Sequence, residues 1–479
     1  MTQQTWDHFI AGQSVPPASG AYLDAAQPAQ GSIGARVALG NGADIARATA
    51  AASAASPAWR SCRPIERGRQ LSALARVIRE NVAQLAAIEG AETGKPAWQA
   101  GAEIEIAAQY FEYYAGLVNL FQGEKIDLGA GYHSYTSREP FGVVGVITPW
   151  NAPLNQAARA VAPALAAGNT VVLKPSEFTS GTSVAVARLA CEAAGIAPGV
   201  FNVVLGNGPD CGAALVGDPL VRKLAFTGSV RAGRQIGHIA ADRIIPLTLE
   251  LGGKSPNIIF EDANLADAVQ GAIRGFAINA GQVCLAGTRL LVQRSVYDAV
   301  LEGLKAAIPT IKIGPGADCM VGALTTRAQY DRVSEWFETA RTEGARALVG
   351  GAVESRAEWG EGWFMPLTVY VDVTNEMRIA REEVFGPVLV VIPFEDEAEA
   401  IRIANDTEYG LAAGIWTQNL SRAHRVAAAV EAGQIYINEY QAGGVETPLG
   451  GMKASGYGRE KGIEALHHYT QLKCVTIKL

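Results

Sequence analysis

The sequence predicts an α/β protein of more than one domain, built on a doubly wound, largely parallel sheet. Three observations carry that expectation. The chain has 479 residues, more than one hydrophobic core usually organises, so two or three domains are expected. Hydrophobic residues make up 49% and charged residues 18%, with 53 glycines, the balance of a globular protein and not of a disordered one. From residue 141 onward, short β-branched runs alternate with Ala-rich helical stretches, the pattern of parallel βαβ units covered on both faces.

Along the chain, residues 63–89 (RPIERGRQLSALARVIRENVAQLAAIE) place apolar residues at helical spacing after Pro64, and TGKP at 93–96 stops the run, so one amphipathic helix is expected. A second helix covers roughly 99–118, and the polar alternation YHSYTSRE at 132–139 reads as an edge strand or hairpin. Then come strand GVVGVITPW, helix 153–167, strand TVVLKPSE, helix 180–195, strand VFNVVLG, helix 210–217, strand KLAFTGS, helix 230–241 and strand SPNIIF. After residue 262 the alternation resumes: a helix running into Cys284, strand TRLLVQ, helices 295–308 and 327–343, and strands LTVYVDV, PVLVVIPF, AAGIWTQ and QIYINE. That suffices for a second α/β domain, with the boundary near Gly252 and Gly253. The ending LKCVTIKL alternates and should form a strand, paired with segment 124–140 or with another subunit.

A net charge of -7, with no Lys/Arg run, argues against nucleic acid as a partner and for a small molecule. No stretch approaches eighteen uninterrupted apolar residues, and MTQQTWDHFIAGQ lacks the basic and apolar regions of an export signal, so a cytoplasmic protein without membrane contact is expected. The six cysteines are scattered, with no C-x-x-C pair and no His at zinc spacing, so neither disulfides nor a metal are expected. Five of them read as small buried hydrophobes. Cys284, in NAGQVCLAG, stands apart among small and polar residues.

Two phosphate-loop signals fail. LELGGKS has Thr248 where a Walker loop needs its first glycine, and GNGPDCG has Cys211 where a dinucleotide fingerprint needs its third. A different set coheres. Lys174 and Glu177 follow one strand and Gly228 and Ser229 another, at the carboxyl ends where open sheets bind ligands. Gly228 and Ser229 can offer backbone N–H groups to a pyrophosphate, and Glu177 can accept from a ribose; a surface lysine beside a turn and a plain helix cap are the competing readings. For Cys284, the chemistry of a thiolate calls for an oxyanion donor and a base. Asn151, just past a strand end, carries a suitable amide, or else caps a helix; Glu250, among apolar neighbours, is a candidate base, or else a solvated strand end.

These motifs together resemble the NAD(P)-dependent aldehyde dehydrogenase superfamily. PWN at 149–151, LKPSE at 173–177, FTGS at 226–229, ELGGK at 250–254, GQVC at 281–284, EEVFGPV at 382–388 and PLGGMKASGYGRE at 448–460 match in order and spacing over nearly the whole chain. The resemblance implies an aldehyde-dehydrogenase-like α/β fold: a Rossmann-type NAD-binding domain (1–121 and 141–252), a catalytic domain (253–452) and a bridging oligomerisation element (122–140 and 453–479). It implies a homodimer or a dimer of dimers. Cys284 would be the nucleophile that forms a thiohemiacetal and then a thioester, Asn151 and the Cys284 N–H would hold the oxyanion, and Glu250 would activate the hydrolytic water. Lys174 and Glu177 would meet the adenine ribose, Gly228 and Ser229 the pyrophosphate, and Glu383 the nicotinamide ribose. Phe385, Ile147 and Trp150 would line that end of the cleft.

The likeness also puts Ala152, Gln156, Arg159, Val283, Leu285, Gly443 and Leu449 around the substrate, with Ala102, Ile106, Asn155 and Ile278 nearby. Ala152 and Gly443 remove bulk, so an aromatic or branched hydrophobic aldehyde is expected, unless loops or Tyr440 refill the space. Arg159 supports the alternative, a semialdehyde whose carboxylate it would grip. Glu250 speaks against a CoA-acylating relative, Arg159 and Arg274 alone are too few cations for a phosphorylated substrate, and the trio Asn151, Glu250 and Cys284 speaks against a binding protein without turnover. Glu177 should welcome a ribose 2'-hydroxyl and repel a 2'-phosphate, so NAD is expected over NADP. The expected outcome is that Glu177→Ser narrows the ratio of kcat/KM for the two cofactors; equal kinetics with both in the unmutated enzyme would refute the argument.

Overall fold

A computed structural model describes residues 4–479. Two large sheets organise the chain. The first has eight strands, and its centre is five parallel ones in the order Leu247–Glu250, Val221–Thr227, Val143–Ile147, Thr170–Lys174 and Phe201–Val203. Alternate residues of these strands enter different cores. Val144, Val146, Val171, Leu173 and Ala225 pack on one face, whereas Val143, Ile147, Val172, Leu224 and Phe226 pack on the other. Both faces are therefore dry, which is why the strands read as continuous apolar runs.

The order also fixes where a ligand belongs. From Val143–Ile147 the chain builds two strands to one side and then crosses back to lay Val221–Thr227 on the other. The loops after Ile147 and after Thr227 diverge at this reversal and leave a crevice at the carboxyl ends of the strands.

The second sheet has seven strands: Arg346–Val349, Thr368–Val371, Val388–Phe394, Arg289–Gln293, Pro256–Ile259, Ala412–Trp416 and Gln434–Ile437, parallel except at the first pair. The chain leaves the first sheet at Glu250 and enters the second at Pro256. The carboxyl ends of one sheet therefore face the amino ends of the other.

A three-stranded sheet sets Tyr132–Pro140 between Lys125–Ile126 and the C-terminal strand Thr470–Lys478. The C-terminal strand pairs with the 124–140 segment as expected, and Tyr132–Pro140 forms a hairpin with Lys125–Ile126, central in the sheet and not at its edge. Nine residue pairs along the C-terminal strand cover one side of it. Gly456–Tyr457, by contrast, joins the first sheet beside Leu249 and Glu250.

Other expectations are corrected. The stretch 63–89 is two helices, Pro64–Glu80 and Val82–Thr93, because Asn81 leaves helical geometry (φ -112°, ψ 15°) and turns its amide onto the Val77 carbonyl at 2.8 Å. Helix 210–217 opens with one wide turn over Gly208–Gly212. The five short strands between Gln4 and Ala38, which frame the first helix, were not foreseen; three of them have three residues each. Among the described residues no helix is long and apolar enough to cross a membrane.

One buried side chain ties the crossing segment to the second sheet. Arg289, fully buried, donates to the carbonyls of Lys254 (2.9 Å), Ile403 (2.9 Å) and Ala404 (2.8 Å) and to Asn375 Oδ1 (2.9 Å). Two of those carbonyls end helix Glu397–Asn405, where a cation is favoured. Removing it strands several buried acceptors. Arg289→Leu should therefore cost about 3 kcal/mol or more, read as a lowered melting temperature, and Arg289→Lys should recover only part of it, because an ammonium cannot span this fork of acceptors.

Candidate active site

A cleft of about 570 Å³ opens between the two sheets at the topological reversal. Trp150, Asn151 and Gln156 line it from the first loop, Gly228 and Ser229 from the second, and Glu250, Cys284, Glu383 and Phe385 from the crossing and the second sheet. Residues drawn from five separate sequence motifs thus share one cavity. A second cavity, of about 520 Å³, lies under the N-terminal strands against helix Val82–Thr93 and contains none of them.

Cys284 sits in a turn between helix Leu265–Ala277 and strand Arg289–Gln293, with Val283 O accepting from Ala286 N at 3.0 Å. The approach is strained. Asn279, Ala280 and Gly281 are all left-handed, with φ of 53°, 52° and 74°. Gly281 has no alternative, since a Cβ there would lie 2.1 Å from the Gly386 carbonyl oxygen. Cys284 is part-buried, and this burial pushes its thiol up to about 11, with Arg159 and the Leu285 N–H pulling the other way.

Asn151 does not cap the following helix, whose preceding residue is Ala152 and which has no side-chain cap. Its Nδ2 donates to the Gln282 carbonyl at 2.8 Å, and its Oδ1 accepts from Gln156 Nε2 at 2.9 Å. Those two bonds fix the orientation of the amide and leave one N–H for the cleft. Its backbone carbonyl is held by Lys95 Nζ at 3.0 Å and Asn279 Nδ2 at 2.8 Å. Lys95 is itself buried between Glu89 (3.4 Å) and Glu103 (2.6 Å).

Sequence reasoning missed Lys95, Asn279 and Gln282 as supports. TGKP was read only as a helix stop, and nothing in its spacing points across to Asn151.

Glu250, the last residue of its strand, is buried and not solvated, and its Oε1 has no partner among the described residues. Burial, reinforced by the charge of Glu460, raises its carboxyl well above the usual range, and Arg159 and Arg459 oppose the shift. Arg159 is no free cation at the cleft. It is buried, ion-paired with Glu460 and bonded to Thr227 Oγ1 at 3.2 Å, and it does not line the cleft.

Glu383 accepts from Gly253 N at 3.1 Å, and burial pushes its carboxyl up to about 7. Phe385 is left-handed (φ 57°), its carbonyl is held by Gln329 Nε2 at 2.9 Å, and its ring meets Trp150 edge-on with centroids 5.3 Å apart. Gly228 does not offer its N–H to a ligand, because that N–H donates to the Glu250 carbonyl at 3.0 Å. Ser229 caps helix Val230–Arg243 through Ala232 N, leaving the N–H groups of Val230 and Arg231 without an acceptor among the described residues. Lys174 and Glu177, 3.4 Å apart, and Ile147 stand at the ends of the two adjoining strands, beside the cleft and outside its walls.

On the other side of Cys284, Val283 and Leu285 flank it in the turn, and Leu449 is buried in a backbone pair with Glu460. Gly443 answers to a turn and not to pocket volume: its φ is 94°, and a Cβ would sit 2.9 Å from Thr447 Oγ1. Tyr440 does not fill the cleft. Its ring lies beneath the Cys284 turn, within 2.7 Å of where a Cβ on Gly287 would stand.

The model of the Aldehyde dehydrogenase family matches residues 15–475. The chain is 41% identical over 482 residues to the putative aldehyde dehydrogenase DhaS of Bacillus subtilis (strain 168), covering 100% of this chain and 96% of that one. Among solved structures it resembles an NAD-dependent aldehyde dehydrogenase from Sinorhizobium meliloti, with a TM-score of 0.97 and 41% identity over 100% of this chain and 95% of the other. It also resembles an indole-3-acetaldehyde dehydrogenase complexed with NAD+, with a TM-score of 0.96 and 40% identity over 99% and 96% of the two chains. With its cysteine, amide and buried carboxyl gathered at the mouth of a doubly wound sheet, the chain belongs to the aldehyde dehydrogenase family, oxidoreductases that act on aldehydes.

Proposed function

We propose that the protein oxidises a bulky hydrophobic or aromatic aldehyde to its carboxylic acid, with NAD as acceptor and Cys284 as nucleophile. The observation that carries this reading is the meeting of Cys284, the oriented Asn151 amide and the partnerless Glu250 carboxyl in one cleft.

The residues present fit a dinucleotide. The first turn of helix Val230–Arg243 has N–H groups free for a pyrophosphate beside Ser229, and Glu383 is held by Gly253 N. Phe385 is fixed against Trp150 as a wall for a flat ring. Lys174 and Glu177 would meet the adenine ribose, with Glu177 favouring NAD over NADP. When bound, NAD accepts the carbonyl hydrogen together with its electron pair.

The chain's own residues do the rest. Cys284 gives its proton to solvent water, and its sulfur bonds to the aldehyde carbon as the carbonyl electrons move onto oxygen. Asn151 Nδ2 and the Cys284 N–H hold that oxyanion in a dry site, where such donors act most strongly. Once oxidised, the carbon is a thioester on Cys284. Glu250 takes a proton from water, the water oxygen attacks the thioester, and the C–S bond breaks to release the acid and restore Cys284.

The small side chain of Ala152 supports the bulky-aldehyde reading. The ion pair of the Arg159 guanidinium with Glu460 speaks against the semialdehyde reading. The long exposed outer edge of strand Thr470–Lys478 supports association of like chains into dimers or dimers of dimers.

Incubation with NAD and a panel of acetaldehyde, benzaldehyde, a long-chain aldehyde and succinic semialdehyde tests the reading, with NADH as readout. The expected result is the highest kcat/KM for the aromatic or long-chain aldehyde and no product from Cys284→Ala. Preference for acetaldehyde would remove the substrate class, and activity in Cys284→Ala would remove the mechanism. Glu250→Gln should give one equivalent of NADH and then turn over more slowly by about 10² or more; turnover without a burst at the parental rate would clear Glu250.

The pH dependence has a definite sign. Both reactive groups work deprotonated and burial raises both, so activity should fall as pH drops through the raised Glu250 value and should keep rising on the alkaline side as Cys284 ionises. A rate that declines from neutral to alkaline pH while the enzyme stays folded would contradict it.

A further inference from the structure

The turn that carries Cys284 has its carbonyls fixed one after another. The Gln282 carbonyl receives Asn151 Nδ2 at 2.8 Å and Asn279 Nδ2 at 3.2 Å, and the Val283 carbonyl receives Ala286 N at 3.0 Å. The Cys284 carbonyl lies against Gly253, where a Cβ would come within 2.7 Å of its oxygen. The Leu285 carbonyl receives the hydroxyl of Tyr440 at 2.8 Å.

Tyr440 reaches this position from outside the motif that holds Cys284. It follows strand Gln434–Ile437 in a bend with left-handed residues on both sides, Asn438 (φ 56°) and Gln441 (φ 63°). Its buried ring is wrapped by three glycines from three elements: Gly275 on helix Leu265–Ala277, Gly287 in the turn and Gly414 on strand Ala412–Trp416. A Cβ at any of them would meet the ring at 3.2, 2.7 and 2.6 Å respectively. Tyr436 braces it, with ring centroids 5.4 Å apart. Burial raises the phenol far above its ordinary range, so it stays a donor.

The Leu285 carbonyl shares a planar peptide unit with the Ala286 N–H, which donates to the Val283 carbonyl, and that carbonyl shares a plane with the Cys284 N–H, so pinning the first carbonyl sets the direction of that N–H. We infer that Tyr440 is a positioning residue for the oxyanion site: its hydroxyl, by holding the Leu285 carbonyl, fixes the turn so that the Cys284 N–H is aimed at the reacting oxygen. This rests on the reading of Cys284 as nucleophile. Tyr440 touches no reacting atom; its hydroxyl meets the turn at the Leu285 carbonyl and lies beside the Ser255 hydroxyl. The three glycines hold the ring itself, so the hydroxyl can be removed without emptying the space.

Tyr440→Phe keeps the ring and removes the hydroxyl, and three rates separate orientation from mere folding. NAD-linked aldehyde oxidation and acylation by p-nitrophenyl acetate both pass through an oxyanion; in the second, the sulfur displaces p-nitrophenolate from the acetyl carbon and no cofactor is needed. Alkylation by iodoacetamide uses the same sulfur but forms no oxyanion. In Tyr440→Phe, kcat for oxidation and the acylation rate should fall together by about tenfold, the scale of one well-placed hydrogen bond. KM for NAD, the alkylation rate and the melting temperature should stay near the parent.

Parental oxidation and acylation in Tyr440→Phe would overturn the inference. So would a loss shared equally by alkylation, which would mark collapse of the turn and not misdirection of its N–H. Cys284→Ala run alongside keeps the two readings apart: if it still oxidises aldehyde, the nucleophile is misassigned; if it is inactive while Tyr440→Phe matches the parent, only Tyr440 is.

Discussion

The architecture depends on a close approach at Gly252 and Gly253. Five residues separate the last strand of the first sheet from the first strand of the second, so the carboxyl edge of one meets the amino edge of the other almost in contact. A Cβ on Gly252 would fall 2.2 Å from a Glu383 carboxylate oxygen, and one on Gly253 would fall 2.7 Å from the Cys284 carbonyl oxygen. Gly252 therefore makes room for a carboxylate, and at Gly253 backbone lies against backbone. Gly281 against Gly386 repeats the arrangement from the other side. The glycines of three distant motifs are thus the points at which those motifs touch, and the cleft is the space left between them.

Such closeness makes the site dry, and dryness sets its electrostatics. Glu250 and Glu383 are both raised by burial; Arg159, which opposes the shift of Glu250, is ion-paired with Glu460, while Lys254 and Arg332 oppose that of Glu383. An ion pair with Glu250 would hold that carboxylate ionised but leave it a poor proton acceptor; a buried, partnerless carboxyl keeps its basicity for water. The Lys95–Glu89–Glu103 cluster does the opposite work. It encloses its charges, and its ammonium holds the carbonyl of Asn151, so that residue is anchored by a group that does not line the cleft.

Much of this was legible in the sequence, for a physical reason. Strands dry on both faces must be apolar throughout, so the five central strands announce themselves, and turns that admit only glycine leave fixed motifs. What stayed hidden are features whose cause lies far along the chain. Strands His8–Ile10 and Gln13–Val15 are three residues long and gain their stability by pairing onto an edge supplied by Phe201–Val203. The break at Asn81 is one side chain competing for one carbonyl within an otherwise regular periodicity. Arg159 looked free because its partner stands some three hundred residues away in sequence, and Gly443 looked like absent bulk because a turn and a pocket wall demand the same residue. Lys95 was punctuation until the fold laid it beneath Asn151.

The left-handed run before Cys284 shows why this cysteine differs from the other five. Asn279 tolerates its φ, helped by two amide bonds to the Asn151 and Gln282 carbonyls, and Gly281 needs no help. Ala280 has neither excuse, and a strain of roughly 1–3 kcal/mol there must be sustained by what surrounds it. Its surroundings are the second core, in which Ala280 is itself buried next to Ala277 and Val384. A relaxed helix would have run on and carried the cysteine along that core and away from the cleft. Bending the chain instead sets the part-buried cysteine on the cleft, so the packing of the second core is what holds that position in place.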